Sequence, residues 1–307
     1  MIIEERGAIM HGEKSKLQLS EIIFQTGMIL LFTIILIVCF YPFYYIFIAS
    51  LSDPQAVNAT NIRFLPVQIT LSNFDKVFAL NGIWQAFFVS VLRTVAGTVV
   101  TLFFTSILGF TLTQENLPGR KLFYRFAVIS MYINAGLIPW YLTMRSLQLK
   151  DSFLVYILPT AVSAFCLVLV KTYIESIPKS LEESARIDGA GYFTIYWKVI
   201  LPICKPILAA VIVYISVGQW NSWTDNLLLV DDNNLRTLQL TLLEYLNQAN
   251  NIASQARSGG GVVDGSAITP FALRMTITMV VTLPVLMIYP FMQKHFVKGL
   301  MVGSIKG

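Results

Sequence analysis

Ser180-Leu181-Glu182-Glu183-Ser184-Ala185-Arg186-Ile187-Asp188-Gly189-Ala190-Gly191 is a polar island between two apolar runs, and Ile200-Leu201-Pro202 and Lys205-Pro206 follow it. Its first part predicts a short helix. Ser180 is placed to cap the N-terminus, and Glu183 three residues later would complete a capping box. Glu182 and Glu183 fall in the first turn, where the helix dipole favours anions. Gly189 suits the left-handed position that ends many helices. Ala185 is small enough to let a partner surface come close. An aromatic-rich segment spans 192–198, and Pro202 and Pro206 flank the start of the next apolar run.

The runs on either side fix the class of the whole chain. Its 307 residues are 55% hydrophobic and 13% charged, with a mean hydropathy of +0.66. A soluble domain carries about 25% charged residues. Crossing the hydrocarbon core takes about 20 apolar residues as a helix. Six segments qualify: 24–50, 84–112, 122–143, 152–172, 203–229 and 271–293. The prediction is an all-α membrane protein with six transmembrane helices. A polar tail (1–23) precedes the six-span body (24–293), and a short tail (294–307) follows it. The first apolar run is longer than the core of a cleavable signal peptide, so it reads as an uncleaved span.

Lysine and arginine counts in the connections set the orientation. The N-tail, residues 113–125, residues 171–205 and the C-tail hold Arg6, Lys14, Lys16, Arg120, Lys121, Arg125, Lys171, Lys179, Arg186, Lys198, Lys205, Lys294, Lys298 and Lys306. The alternate connections hold half as many: Arg63, Lys76, Arg145, Lys150, Arg236, Arg257 and Arg274. Both termini and the loop at 173–202 therefore read as cytoplasmic, in a multi-pass membrane protein. The net charge of +5 is a topology signal and does not argue for nucleic acid.

Several chemistries are excluded. Cys39, Cys166 and Cys204 lie in or beside apolar segments without metal-ligand spacing, and read as small hydrophobes. There is no G-x-x-x-x-G-K-[ST] phosphate loop. The chain is not read as an enzyme, and it holds no cofactor; any ATP and Mg would sit on partner subunits.

Span two is rich in small and hydroxyl residues, among them Ser90, Thr94, Gly97, Thr101, Ser106 and Gly109. They permit close packing in lipid, so this span reads as central. The first external loop predicts a short amphipathic helix from Asn73 to Leu80. The last external loop, 230–270, predicts another from Leu235 to Leu246, before a glycine run without regular-structure preference. Candidate substrate-path residues are Arg93 and Asn134, polar groups too costly to face lipid, and Gln219, Trp220 and Asn221 at the end of span five. Aromatic planes and hydrogen-bonding side chains there would suit a cargo that presents apolar faces and hydroxyls, although Trp also gathers at membrane interfaces. Arg93 could pair with an acid or line a cavity. Asp225, near the external interface, needs no special account.

The spacing Glu183-Ser184-Ala185 to Gly189, then Leu201-Pro202, resembles the EAA loop of the permeases of ABC importers, with Ser184 in place of one alanine. The turn Leu117-Pro118-Gly119-Arg120-Lys121, the stretch Met131-Tyr132-Ile133-Asn134-Ala135-Gly136-Leu137-Ile138-Pro139 and the C-terminal Tyr289 to Gly307 look like the carbohydrate branch of that family. That branch is MalG-like, and within it the match is to the LplC/YtcP group. The resemblance covers nearly the whole chain and implies a type I importer permease fold. It implies that Glu182, Glu183, Ser184, Ala185, Asp188, Gly189, Ala190, Leu201 and Pro202 belong to a coupling helix and its flank. In the family that helix docks on a separate ATP-hydrolysing subunit.

The implied partners are a second homologous permease, two ATPase subunits, an extracytoplasmic sugar-binding lipoprotein and an oligosaccharide. The resemblance puts Ser258, Gly259, Gly260, Gly261 and Asp264 at the tip of the loop that reaches the binding protein; a flexible spacer is the alternative. In the family the sugar is held largely by the other permease. The C-tail, Lys298 to Gly307, would either approach the ATPases or be disordered. Two other functions stay open: an importer permease for peptides or other small solutes, and a transporter driven by an ion gradient. The second usually has mid-membrane carboxylates or interrupted helices, and no Asp or Glu falls mid-span here.

Overall fold

The computed structural model describes residues 2–54, 64–257 and 270–303. Among them the chain is helical, apart from an isolated antiparallel bridge between Ser52 and Ile69. Helix α1 (Ile2–Ser50) is continuous and runs unbroken across the boundary expected near residue 24. Over Leu19–Ser50 it is strongly apolar, and its most apolar 18-residue window holds no buried residue. Its last residues, Ile48 to Ser50, are buried. Helix α2 (Ser72–Phe78) lies where the short external helix was expected. It is anchored by the buried Asn73, whose amide donates to the carbonyls of Ser50 (3.0 Å) and Ser52 (2.8 Å).

Helix α3 (Ile83–Thr113) is the centre of the fold. Its small residues face inward, and Ser90, Thr94, Thr98, Thr101, Thr105 and Ser106 are all buried. Glycine is required at two contacts there. A Cβ on Gly97 would lie 2.6 Å from Gln219 Nε2, and one on Gly109 would lie 2.9 Å from Val170 Cγ1. These close approaches seat α3 against α6 (Ala164–Glu175) and α9 (Lys205–Asn221).

Three of the other four apolar runs, 122–143, 152–172 and 203–229, are interrupted helices, where six transmembrane helices were expected. Segment 122–143 splits into α4 (Arg120–Tyr132) and α5 (Leu137–Ser146). The break follows from a local turn in which Asn134 Oδ1 accepts the Gly136 N–H at 2.9 Å, competing with the helical ladder. Segment 152–172 becomes two short 3₁₀ turns, Phe153–Tyr156 and Leu158–Thr160, followed by α6 at a 45° bend. The loop at 173–202 holds α7 (Ser180–Ile187) and α8 (Tyr192–Ile203), and α8 meets α9 at 80°. Pro206 lies in the first turn of α9, where it costs no helical hydrogen bond.

Helix α10 (Thr224–Leu229) follows, then α11 (Leu238–Arg257), longer than the expected 235–246, then α12 (Pro270–Gly303). Among the described residues, two helices are long and apolar enough alone to cross a membrane, or four if each bent pair is one span. The loop tip at Ser258, Gly259, Gly260, Gly261 and Asp264, and residues 304–307 of the C-tail, lie outside the described residues.

Three cores hold the frame. One packs Phe110, Val170, Ile174, Tyr196 and Ile200 with Cys166 and Cys204. A second gathers Val89, Val155, Tyr156, Leu229 and Val230. A third joins Val77, Ile83, Trp220, Leu238 and Ile277. Cys166 and Cys204 are buried as expected, whereas Cys39 is exposed on α1.

Candidate functional site

Helix α7 begins at Ser180, so Ser180 is its first residue and does not cap it. The capping position falls on Lys179, with no side-chain cap. Pro178 sets this start: its carbonyl takes the Leu181 N–H (3.2 Å) and the Lys179 carbonyl takes the Glu183 N–H (3.0 Å). The other end is as read. Gly189 is left-handed (φ +81°), its N–H donates to Arg186 O at 3.0 Å, and Ala190 N–H donates to Ala185 O at 2.9 Å. That pair is a Schellman stop, which most side chains would strain.

Gln114, just past α3, is the hub that braces α7. Its Nε2 donates to Glu182 Oε2 (3.3 Å) and its Oε1 accepts from Arg186 (2.7 Å). Lys179 pairs with the neighbouring Glu115. The Arg186 guanidinium also lies over the Tyr192 ring at 4.9 Å. The hydrogen bond and charge of Lys179 hold the Glu115 carboxyl below its ordinary range.

Helix α7 therefore has two faces. Ala185, with Ala190 after the helix, packs on this chain's own core. The small size of Ala185 lets α7 lie close to the core. Glu183, Ser184, Ile187 and Asp188 face outward, and Ile187 is 86% exposed. Leu201 and Pro202 line a separate apolar cavity of about 560 Å³ between α3 and α9, beside Tyr196 and Trp197.

Near the other end of α3, Arg93 is buried and fully occupied. Its Nε donates to Gln219 Oε1 (3.1 Å), and one terminal nitrogen donates to Ser222 O and Asp225 Oδ1, each at 3.1 Å. The other terminal nitrogen pairs with Asp225 Oδ2. The guanidinium lies 4.5 Å from the Tyr156 ring centroid. Gln219 Nε2 reaches Thr160 Oγ1 at 2.7 Å. Asn226 Nδ2 donates to the Tyr156 hydroxyl at 2.6 Å, and that hydroxyl donates to Leu235 O at 2.7 Å. One network thus ties α3, the 3₁₀ turns, α9, α10 and the external loop together.

This places the substrate-path candidates. Arg93 and Gln219 line a cavity of about 660 Å³, with their hydrogen-bonding groups committed to the network. Trp220 is buried and donates to Val281 O at 3.0 Å, which is a packing role. Asn221 is exposed at the end of α9. Asn134 is exposed in the α4–α5 break, away from the network. Asp225 needs an account after all: it is the counter-ion of Arg93. Sequence reading missed it and Gln114, although a lone intramembrane arginine signals that a carboxylate must be near.

At the surface Lys150 pairs with Asp231 at 2.8 Å, which raises the lysine's pKa. Asp151 Oδ1 accepts the N–H groups of Asp231 (2.6 Å) and Asp232 (3.0 Å), which lowers its pKa. Among the described residues no group of His, Cys, Asp and Glu could hold a metal ion.

No family model matches the chain. It is 34% identical over 283 residues to YtcP of Bacillus subtilis (strain 168), a polygalacturonan/rhamnogalacturonan transport system permease protein, covering 92% of this chain and 96% of the relative. It is 33% identical over 266 residues to LplC of the same organism, covering 87% of this chain and 89% of the relative. Its fold matches a solved bacterial ABC transporter involved in the import of the acidic polysaccharide alginate. The TM-score is 0.79 and the identity 30%, over 90% of this chain and 98% of that one. The chain belongs to the family of ABC importer permeases for carbohydrates, as the loop and C-tail implied. The ion-gradient alternative falls away, although the interrupted helices that would have favoured it are present.

Proposed function

We propose that the chain is one of two permeases in an ATP-driven importer, passing an oligosaccharide inward from an extracytoplasmic binding protein. It crosses the bacterial plasma membrane six times, with α4–α5, the 3₁₀ turns with α6, and α9–α10 as broken spans. Both termini and α7 are cytoplasmic. ATP and Mg act on two separate ATPase subunits, and a groove on one of them receives the outward face of α7.

The bracing of α7 carries this reading. A force on Glu183 or Ile187 passes through Glu182 and Arg186 to Gln114, and so to the end of α3. It also passes through Ala185 and Ala190 into the core. Helix α3 carries Arg93, whose network holds α9, α10 and the 3₁₀ turns. Closure of the ATPases would thus tilt the elements around the cavity together. Glu183 has no partner among the described residues, so it is free to meet another subunit.

The test is ATPase activity of the reconstituted complex, with and without binding protein loaded with candidate oligosaccharides. Loaded binding protein should stimulate the wild type. Glu183→Ala combined with Gly189→Val should abolish stimulation and uptake while the chain still inserts. Survival of uptake in the double variant sinks the coupling role of α7. Stimulation by peptides and by no saccharide returns the cargo to the peptide alternative.

A further inference from the structure

The segment that leads into α11 is pinned from three sides. The Tyr156 hydroxyl donates to the Leu235 carbonyl at 2.7 Å. Thr237 donates both its N–H (2.9 Å) and its hydroxyl (3.1 Å) to Asn226 Oδ1. The Leu238 N–H donates to Ser90 Oγ at 2.8 Å. The pins come from three different elements, the first 3₁₀ turn, α10 and α3. Tyr156, Asn226 and Ser90 are all buried, which strengthens these bonds over the same bonds in water. The outer ties of α11 are of another kind. Tyr245 to Asn81 O (3.2 Å) and Arg274 to Asn250 (2.9 Å) are exposed.

Asn226 is the centre of the joint. Its amide donates on one side, to the Tyr156 hydroxyl at 2.6 Å, and accepts on the other, from Thr237. An amide can do both, whereas an ionised carboxylate only accepts. The Asn226 N–H donates to Asp225 Oδ1 at 2.9 Å, and Asp225 is the counter-ion of Arg93. Tyr156 reaches Arg93 as well, with its ring centroid 4.5 Å from the guanidinium. A shift of the pinned segment thus arrives at the Arg93 network by two short routes. The joint is also under strain. Gln239 Oε1 and Thr241 Oγ1, in the first turns of α11, are buried without a partner among the described residues. Orphans of this kind cost stability, so a displaced α11 loses less than it would from a fully satisfied joint. Beyond the joint α11 is a rod of 20 residues, about 30 Å long. It ends at Arg257, one residue before Ser258, where contact with the binding protein is expected.

We propose that Asn226 is a positioning residue that passes the docking of loaded binding protein from α11 to the Arg93 network, and so along α3 to α7. This relay rests on the proposed function and adds to it the internal route by which the ATPases sense that cargo has arrived. A push on the far end of α11 moves the pinned segment, and with it α10 and Asp225. The three pins make α3 and the 3₁₀ turn follow in the same step.

The test uses the full complex in nanodiscs, with binding protein loaded with maltotriose, xylotriose, arabinotriose or trigalacturonate. Asn226→Ala should leave assembly and basal ATPase activity at the wild-type level and cut stimulation by loaded binding protein about tenfold. Ser90→Ala, a milder change at a second pin, should cut it in the same direction. Coupling is reciprocal. Holding the wild-type ATPases closed with ATP and vanadate should therefore tighten binding-protein docking, and Asn226→Ala should abolish that tightening. Wild-type stimulation in both variants overturns the relay. So does unchanged tightening in Asn226→Ala. A fall in basal activity that matches the fall in stimulation also overturns it, because it marks a packing role. Should Asn226→Ala fail to assemble, the same readouts on Ser90→Ala decide. A wild-type complex that no loaded binding protein stimulates overturns the proposed function, and the relay with it.

Discussion

Arg93 brings a full charge into the interior of α3, and the fold answers with Asp225. Neither side chain is more than 11% exposed. Removing one partner of such a pair strands the other without solvent, at a cost of about 3–5 kcal/mol. Removing both leaves no orphan charge. Arg93→Met should therefore lower the melting temperature of the purified complex more than Arg93→Met/Asp225→Asn does. Equal destabilisation would mean that the pair is not coupled. Gly97 belongs to the same knot, because any larger residue would push Gln219 away from Arg93 and Thr160.

Helix α7 is set by its ends. Pro178 begins it and Gly189 stops it, so its length was readable from the sequence while its capping was not. A capping box needs Ser180 outside the helix, and the Pro178 carbonyl draws Ser180 inside. What α7 rests on could not be read at all, since Gln114 and Glu115 lie more than 60 residues away and carry no motif. The Lys179–Glu115 pair makes one link sensitive to acid. The folded carboxyl titrates below its ordinary range, so its contribution is complete above the ordinary glutamate pKa and is lost as pH falls through the lowered one. Hydrogen exchange over 180–187, corrected for intrinsic rate, should rise below about pH 4 in the wild type. Glu115→Gln should show faster exchange at pH 7 and no further acid-dependent rise. An identical rise in the variant would assign the acid step to another group.

Across the whole molecule, the proposed topology of six spans with both termini inside predicts a pattern of labelling. Cys166 and Cys204 are buried and Cys39 is exposed, so Cys39→Ser gives a quiet background. In right-side-out vesicles an impermeant thiol reagent should reach a cysteine placed at Asn233 and spare one placed at Glu183. Inside-out vesicles should reverse this. Labelling of both positions from one side would break the topology, and with it the docking of α7 on a cytoplasmic ATPase.

Local rules gave the class of the chain from its residues. Apolar length, the lysine and arginine bias, and the glycine and proline of the loop act over a few residues or along one span, so they can be read without neighbours. Packing between distant segments settled the rest. Asn134 broke one apolar run through a turn, Pro178 displaced a cap, and α10 brought Asp225 back to Arg93 across 132 positions. Contacts of this kind depend on which surfaces the folded chain brings together, and no periodicity or spacing along the sequence encodes them.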